Sequence, residues 1–294
     1  MEQLFQQLIN GISVGSIYAL IALGYTMVYG IINLINFAHG DIYMMGAYVG
    51  FALTTFLHLG FFPSLIISMV VCSILGVVIE KVAYKPIRNS TRIAALITAI
   101  SVSLFLEYVM VYFVSPDTRP FPNVLSEKNI TFFNGKVVMD AKNIYIIVIT
   151  ITLMILLQYI VHKTKAGKAM RAVSLDREAA QLMGINVNKT ISYTFAMGSA
   201  LAGAAGVLVG IYYNSINPLM GVAPGIKAFV AAVIGGIGII PGAVIGGFSL
   251  GMIETIVSAF GGSMFKDAVA FAILIIILLI KPNGLLGKKI QEKV

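Results

Sequence analysis

The chain has 294 residues, 59% of them hydrophobic and 11% charged, with a mean hydropathy of +0.94 and a formal net charge of +8. Soluble domains carry roughly 25% charged residues, so an ordinary soluble core is excluded, and nearly continuous apolar runs such as 144–160 exclude a β-barrel, whose strands alternate. The positive balance is that of Lys and Arg kept on the cytoplasmic side of a membrane and implies no nucleic acid; a single cysteine, Cys72, leaves no intramolecular disulfide and no cysteine-rich metal site.

Met1-Glu2-Gln3 lacks the basic start of a cleavable signal peptide, so the first apolar stretch is expected to remain as a span. Spans need about 20 apolar residues each. They are predicted at about 8–32, 42–60, 62–84, 94–114, 143–161, 191–213, 226–240, 243–260 and 268–281, with the seventh and the last short. The expected fold class is therefore all-α, a polytopic transmembrane helical bundle of eight or nine spans. Between the first two spans the run Asn33-Leu34-Ile35-Asn36-Phe37-Ala38-His39-Gly40-Asp41 interrupts the helical pattern. Non-helical backbone at membrane depth persists only where it is buried in protein or lines an aqueous cavity. Asn33, Asn36, His39 and Asp41 are therefore candidates for a translocation pathway. His39 has no second histidine nearby, which favours a loop hydrogen bond over a metal or relay.

Glu107 lies inside the fourth span, where an ionisable side chain is costly and normally faces the protein interior. It is an ion-carrier candidate, although an interhelical bond is the plainer expectation. The loop 115–142 holds Pro116, Pro120 and Pro122 and nearly balanced charge, and is expected to be irregular and external. After the fifth span comes a basic island, 163–190, with Lys163, Lys165, Lys168, Arg171 and Arg177. At its centre Glu178-Ala179-Ala180 is followed by Gly184, the pattern of a short helix stopped by glycine.

A second interruption runs from Asn214 to Gly225 with Pro218, Gly221 and Pro224, followed by Gly235-Gly236-Ile237-Gly238 and Pro241-Gly242. Paired interruptions in the two halves of a chain point to a transport site built from an internal repeat. Lys227 and Glu254 are the ionisable groups of the distal spans, and Glu254 carries the same two readings as Glu107. Glycines four residues apart, such as Gly11 and Gly15 or Gly247 and Gly251, predict close helix packing. Basic clusters at 81–92, 163–189 and 281–293, placed in the cytoplasm, put the N-terminus outside and the C-terminus inside.

No phosphate loop is present, since Gly167-Lys168 is followed by Ala169 and Gly287-Lys288 by Lys289. HExxH and a TVGYG filter are also absent. No catalytic residue and no metal site is expected, and any ATP must be hydrolysed elsewhere.

The run Gly15-Ser16-Ile17-Tyr18-Ala19-Leu20-Ile21-Ala22-Leu23-Gly24-Tyr25, its continuation through Asn33 to Asp41, the distal Asn217-Pro218 and Gly225-Ile226-Lys227-Ala228-Phe229, and the closing Lys281-Pro282-Asn283-Gly284-Leu285-Leu286-Gly287 resemble LivH-type permeases of branched-chain amino acid ABC importers. The resemblance covers essentially the whole chain. It implies a single permease domain over 1–294, with a coupling loop at 163–190, that imports leucine, isoleucine and valine across a bacterial inner membrane. Glu178, Ala179, Ala180 and Gly184 match the EAA loop of such importers, which implies a coupling helix docking on an ATPase; the proline-containing end of the broader consensus is missing at Tyr193-Thr194-Phe195-Ala196. The implied partners are a homologous second permease, two cytoplasmic ATPases that bind the ATP and Mg, an extracytoplasmic binding protein and membrane lipid, with no cofactor on this chain. Urea or short-chain amide import is the alternative within the superfamily. A stand-alone ion-coupled transporter using Glu107 or Glu254 is the alternative outside it.

Overall fold

The computed structural model describes residues 2–32, 36–88, 90–125, 129–132 and 137–287. Each predicted span is a helix, because a chain this apolar satisfies its backbone internally. The helices are α1 (Glu2–Ile32), α2 (His39–Thr55), α3 (Phe61–Ile79), α4 (Lys85–Ile87), α5 (Arg92–Phe113), α6 (Ala141–Lys163), α7 (Lys165–Leu175), α8 (Arg177–Leu182), α9 (Val187–Tyr213), α10 (Val222–Gly235), α11 (Ile240–Phe260) and α12 (Lys266–Ile280). A π-helical turn, Glu80–Tyr84, joins α3 to α4.

Among the described residues, seven helices are long and apolar enough to cross a membrane. One of the seven is α12 taken together with the 3-10 turn Ser263–Phe265 that leads into it, and the two that fall short are α2, with 17 residues, and α10, with 14. At 1.5 Å per residue they reach about 26 Å and about 21 Å, less than the hydrocarbon thickness of about 30 Å. Each comes directly after one of the two interruptions. α2 also ends earlier than the 42–60 pattern suggested, at Thr55, and His58 just beyond takes a left-handed φ of 51°.

The 115–142 loop departs from the expected irregularity. β2 (Asn129–Phe132) pairs antiparallel with β3 (Val137–Asp140), and β1 (Arg119–Pro120) pairs with β4 (Ser215–Ile216) in the second interruption. Ile130, Thr131, Val137 and Val138 are β-branched and suit a small hairpin.

Packing is reciprocal between two halves. α1 lies mainly against α11, and α9, its counterpart in the second half, lies mainly against α3. α1 and α9 also cross each other at Gly24 and Gly198, with Tyr18 of α1 facing Tyr213 at the far end of α9, so they run antiparallel. Both interruptions share the same plan: Asn36 stands four residues after the end of α1, and Asn217 four after the end of α9. The glycine spacing works at the α1–α11 seam, where Gly11 and Gly15 meet the Met252 and Phe248 backbones. The span windows of α1 and α9 are 89% and 83% buried and that of α12 only 6%, which makes the first two the centre of the bundle.

One end of the bundle carries the basic island. There the end of α1 meets Arg177. At the opposite end Gln6 of α1 bonds with Val138 of the hairpin.

Candidate coupling and translocation sites

Local sequence builds the basic island as two capped helices. Thr164 caps α7 by accepting from the Gly167 N–H at 3.1 Å, and Asp176 caps α8 by accepting from the Ala179 N–H at 2.9 Å. α8 then stops at Gly184, whose φ is +82°. The Ile185 N–H reaches the Ala180 carbonyl at 3.0 Å and the Gly184 N–H reaches Gln181 at 3.0 Å, the paired bonds of a Schellman ending. Ala180 is buried beneath this short helix, while Glu178, Ala179 and Gly184 are exposed. Three apolar side chains that sequence reasoning passed over flank them. Leu175, Leu182 and Met183 are each more than 80% exposed, at 89%, 89% and 83%. The signal that could have found them was apolar residues within a polar island.

Arg177, the first residue of α8, turns the other way. Its guanidinium donates to the carbonyls of Ile32 at 2.9 Å and Ile31 at 3.3 Å, the last two residues of α1. Burial there, and then the Arg88 charge nearby, lower its pKa from the usual arginine value. Arg88 is itself held by buried Glu80 at 2.5 Å and by Asn188 at 2.8 Å, and Glu80 also accepts from Ser192 at 2.6 Å. Glu80 was missed by sequence because it lies where a span meets a basic cluster. A cavity of about 80 Å³ adjoins the end of α1, lined by Thr26, Gly30, Ile31, Met170, Arg171 and Ser174 among others.

Of the pathway residues, Asn33 lies outside the described residues. Asn36, His39 and Asp41 are all nearly fully buried, but they face three different neighbours. Asn36 accepts from the Tyr84 hydroxyl at 2.7 Å, and its amide nitrogen is unpartnered. His39 is the first residue of α2, and its backbone N–H donates to the Asn36 carbonyl in the loop at 3.0 Å. Its ring packs edge-on to Tyr25 at 4.7 Å in the space that a side chain at Gly24 would fill. The Ile21 carbonyl faces the ring, yet neither ring nitrogen has a partner at normal geometry. Asp41 accepts from Ser103 and interacts with Glu107, both on α5, and its second oxygen lies unpartnered beside Gly221.

These residues therefore do not converge as one ligand set. Backbone and aromatic packing brings the two interruptions together instead: Gly40 rests on Gly221 and Gly225, and Phe229 of α10 packs edge-on to Tyr25 and tilted against Phe37.

Buried Glu254 and Lys227 form a second cluster with Asp267, whose side chain is half exposed. Lys227 Nζ lies 2.6 Å from Glu254 and 2.7 Å from Asp267, and Glu254 also accepts from Tyr18 at 2.8 Å. Lys266 stands 3.8 Å from Glu254. The cluster ties α1, α10, α11 and α12 together.

The sequence matches the family described as branched-chain amino acid transport system / permease component over residues 7–278. The high-affinity branched-chain amino acid transport system permease protein BraD of Pseudomonas aeruginosa is 44% identical over 301 residues, covering 98% of this chain and 97% of that protein. The corresponding permease protein LivH of Escherichia coli K12 is 44% identical over 312 residues, with the same two coverages of 98% and 97%. Among solved structures, PsaBC from Streptococcus pneumoniae in complex with Fab superimposes with a TM-score of 0.50 at 18% identity, covering 95% of this chain and 91% of that one, which is a likeness of fold.

Proposed function

The chain belongs to the family of branched-chain amino acid transport-system permeases, and we propose that it is the inner-membrane permease subunit through which leucine, isoleucine and valine enter the cell. The observation that carries this reading is 44% identity to high-affinity permeases along 98% of the chain. Residues 1–294 act as one permease domain. ABC importers of this family work with ATPase and binding-protein partners; the assembly proposed here pairs this chain with a homologous second permease, two ATPases and one extracytoplasmic binding protein. ATP and Mg belong to the ATPases, and the chain performs no chemistry of its own.

Geometry supports a division of labour. Glu178, Ala179 and the Gly184 stop, with Leu175, Leu182 and Met183, offer a small exposed apolar surface on a basic element, and exposed patches of this kind suit a protein partner. That surface is the proposed ATPase contact, and with it 163–190 is assigned to the cytoplasm and the β2–β3 pair to the outside. The converging interruptions are the proposed pathway. Its aromatic lining of Tyr25, Phe37 and Phe229 suits an apolar side chain, and the unpartnered polar atoms of Asn36, His39 and Asp41 are groups that a passing ammonium or carboxylate can engage. Glu254 is committed to Lys227 and Tyr18, which favours a structural role over ion carriage.

The test is to tag the chain, extract it from its own membranes, identify the proteins that co-purify, and reconstitute the complex with its binding protein. ATP-dependent uptake of labelled leucine that unlabelled isoleucine and valine suppress is expected. Uptake of urea instead, or leucine uptake that survives without ATP and collapses with an ion gradient, would refute the reading.

A further inference from the structure

We propose that Arg177 is the positioning residue that carries displacement of α8 to the first interruption, by gripping the end of α1. The proposal rests on the permease reading above and goes beyond it in naming the link.

α8 has six residues, too few to hold its shape without its caps, and it packs against its sequence neighbours α7 and α9. The Arg177 guanidinium crosses from it to a helix 145 residues away in sequence, bonding the carbonyls of Ile31 and Ile32. These are two of the carbonyls that a helix leaves without an intrahelical partner, and they stand at the negative end of its dipole, where a cation is favoured. One guanidinium nitrogen, Nη2, donates to both. The side chain is half-buried against α1 while the next two residues, Glu178 and Ala179, face solvent, so one short helix presents an exposed face outward and an anchor inward.

The chain beyond α1 makes the anchor consequential. Four residues past Ile32 stands Asn36, bonded to Tyr84 of the π-helical turn, and then His39 and Asp41 at the start of α2. The Arg177 bonds to Ile31 and Ile32 therefore hold the helix end nearest in sequence to the segment where the two halves meet. The cavity beside Ile31 leaves the terminal turn of α1 room to shift without forcing apart a packed seam.

A second arginine shows the alternative arrangement. Arg171 of α7 donates to the Val161 carbonyl near the end of α6, but α6 and α7 are consecutive in the chain, and that bond only secures a local corner.

The experiment uses the whole transporter reconstituted in liposomes with leucine-loaded binding protein, recording leucine uptake and phosphate release together. With Arg177→Ala, the ATPases are expected to co-purify as with wild type, while leucine taken up per ATP hydrolysed falls about ten-fold, the fold-change carried by one charge-assisted hydrogen bond. Arg177→Lys, which keeps a cation able to bond a carbonyl, is expected to recover much of the ratio. Unchanged leucine per ATP in Arg177→Ala overturns the proposal, and so does loss of the ATPases, because Arg177 would then serve docking. If Arg177→Ala yields no folded chain, Arg177→Met, which keeps length but has no N–H donor, decides by the same ratio: lowered supports, unchanged overturns. A wild-type complex without ATP-dependent leucine uptake refutes the permease reading and this proposal with it, whereas wild-type uptake beside an unaffected Arg177→Ala refutes the link alone.

Discussion

The two interruptions share one plan but are held in different ways. The first, between α1 and α2, is secured by side chains at the basic end: Arg177 on the last carbonyls of α1, and Tyr84 on Asn36. The second, between α9 and α10, is secured by main chain at the opposite end. There β1 pairs with β4, and the Phe121 N–H bonds the Asn214 carbonyl at 3.0 Å while its ring packs on Gly210. Side-chain bonds can be exchanged one at a time, whereas a strand pairing yields as a unit. The side-chain-held interruption is also the one next to the proposed ATPase contact.

The polar clusters differ in the same direction. In the first half Asp41 and Glu107 face each other with Ser103 as donor. In the second, Glu254 and Asp267 share Lys227, and Glu254 gains Tyr18. One cluster sets acid against acid and the other is balanced by a buried cation.

The most severe way to break the comparison is to part the two interruptions. A Cβ at Gly40 would collide with the Gly221 carbonyl and lie 3.1 Å from the Gly225 Cα, all backbone that cannot swing aside. Gly40→Val is expected to cost about 3 kcal/mol or more, the upper range for overpacking. Little monodisperse protein should survive detergent extraction and size-exclusion chromatography, and a wild-type yield would show that the contact is not needed.

Next in size is the contrast between clusters. Lys227→Met removes the cation closest to buried Glu254, leaving only Lys266 at 3.8 Å, and is expected to destabilise by about 3 kcal/mol, seen as a large drop in thermal unfolding temperature. The double variant Lys227→Met/Glu254→Gln should recover most of that loss. Glu107→Gln replaces one of the two facing acids by an amide of the same shape and is expected to change stability by less than about 1 kcal/mol. If Lys227→Met and Glu107→Gln behave alike, the two clusters are not the opposites described.

A smaller effect is expected where conformation alone is at stake. Gly184 has open space around it, so Gly184→Ala meets no clash, but its φ of +82° costs an alanine about 1–2 kcal/mol. Because that strain falls on the stop of α8, it should appear as roughly ten-fold weaker association with the ATPases, the equivalent in affinity, with the unfolding temperature little changed. An unaffected association would place the contact elsewhere.

How much of the fold and the sites is legible in the sequence depends on distance along the chain. Hydropathy locates each span, and the short α2 and α10 can be placed because each comes after a run of Asn, Pro or Gly residues. The Gly184 stop is readable because helix endings are local. Partners are not: nothing near Arg177 in sequence points to Ile32, nor anything near Asp41 to Glu107, since those contacts exist only once α1 and α5 are packed. Strands of two residues such as β1 and β4 carry no periodicity to detect. Glu80 is hidden because a hydropathy window averages one acid into the apolar helix before it, although the residue bonds both Arg88 and Ser192.

The finest test separates holding from moving at the first interruption. Tyr84→Phe removes one hydroxyl and leaves Asn36, whose amide nitrogen already lacks a partner, with no bond from its side chain among those the structure contains. A single neutral hydrogen bond contributes about 0.5–1.5 kcal/mol, so a modest drop in unfolding temperature is expected. Arg177 acts on the same segment from α8, and the two bonds are separate inputs to it. Combining Tyr84→Phe with Arg177→Ala should therefore give additive losses of stability but no further loss of leucine per ATP, because the link to α8 is already cut. A further fall in that ratio would mean that Tyr84 belongs to the moving path as well, and that the π-helical turn, with Glu80 and the start of α9, carries part of the stroke.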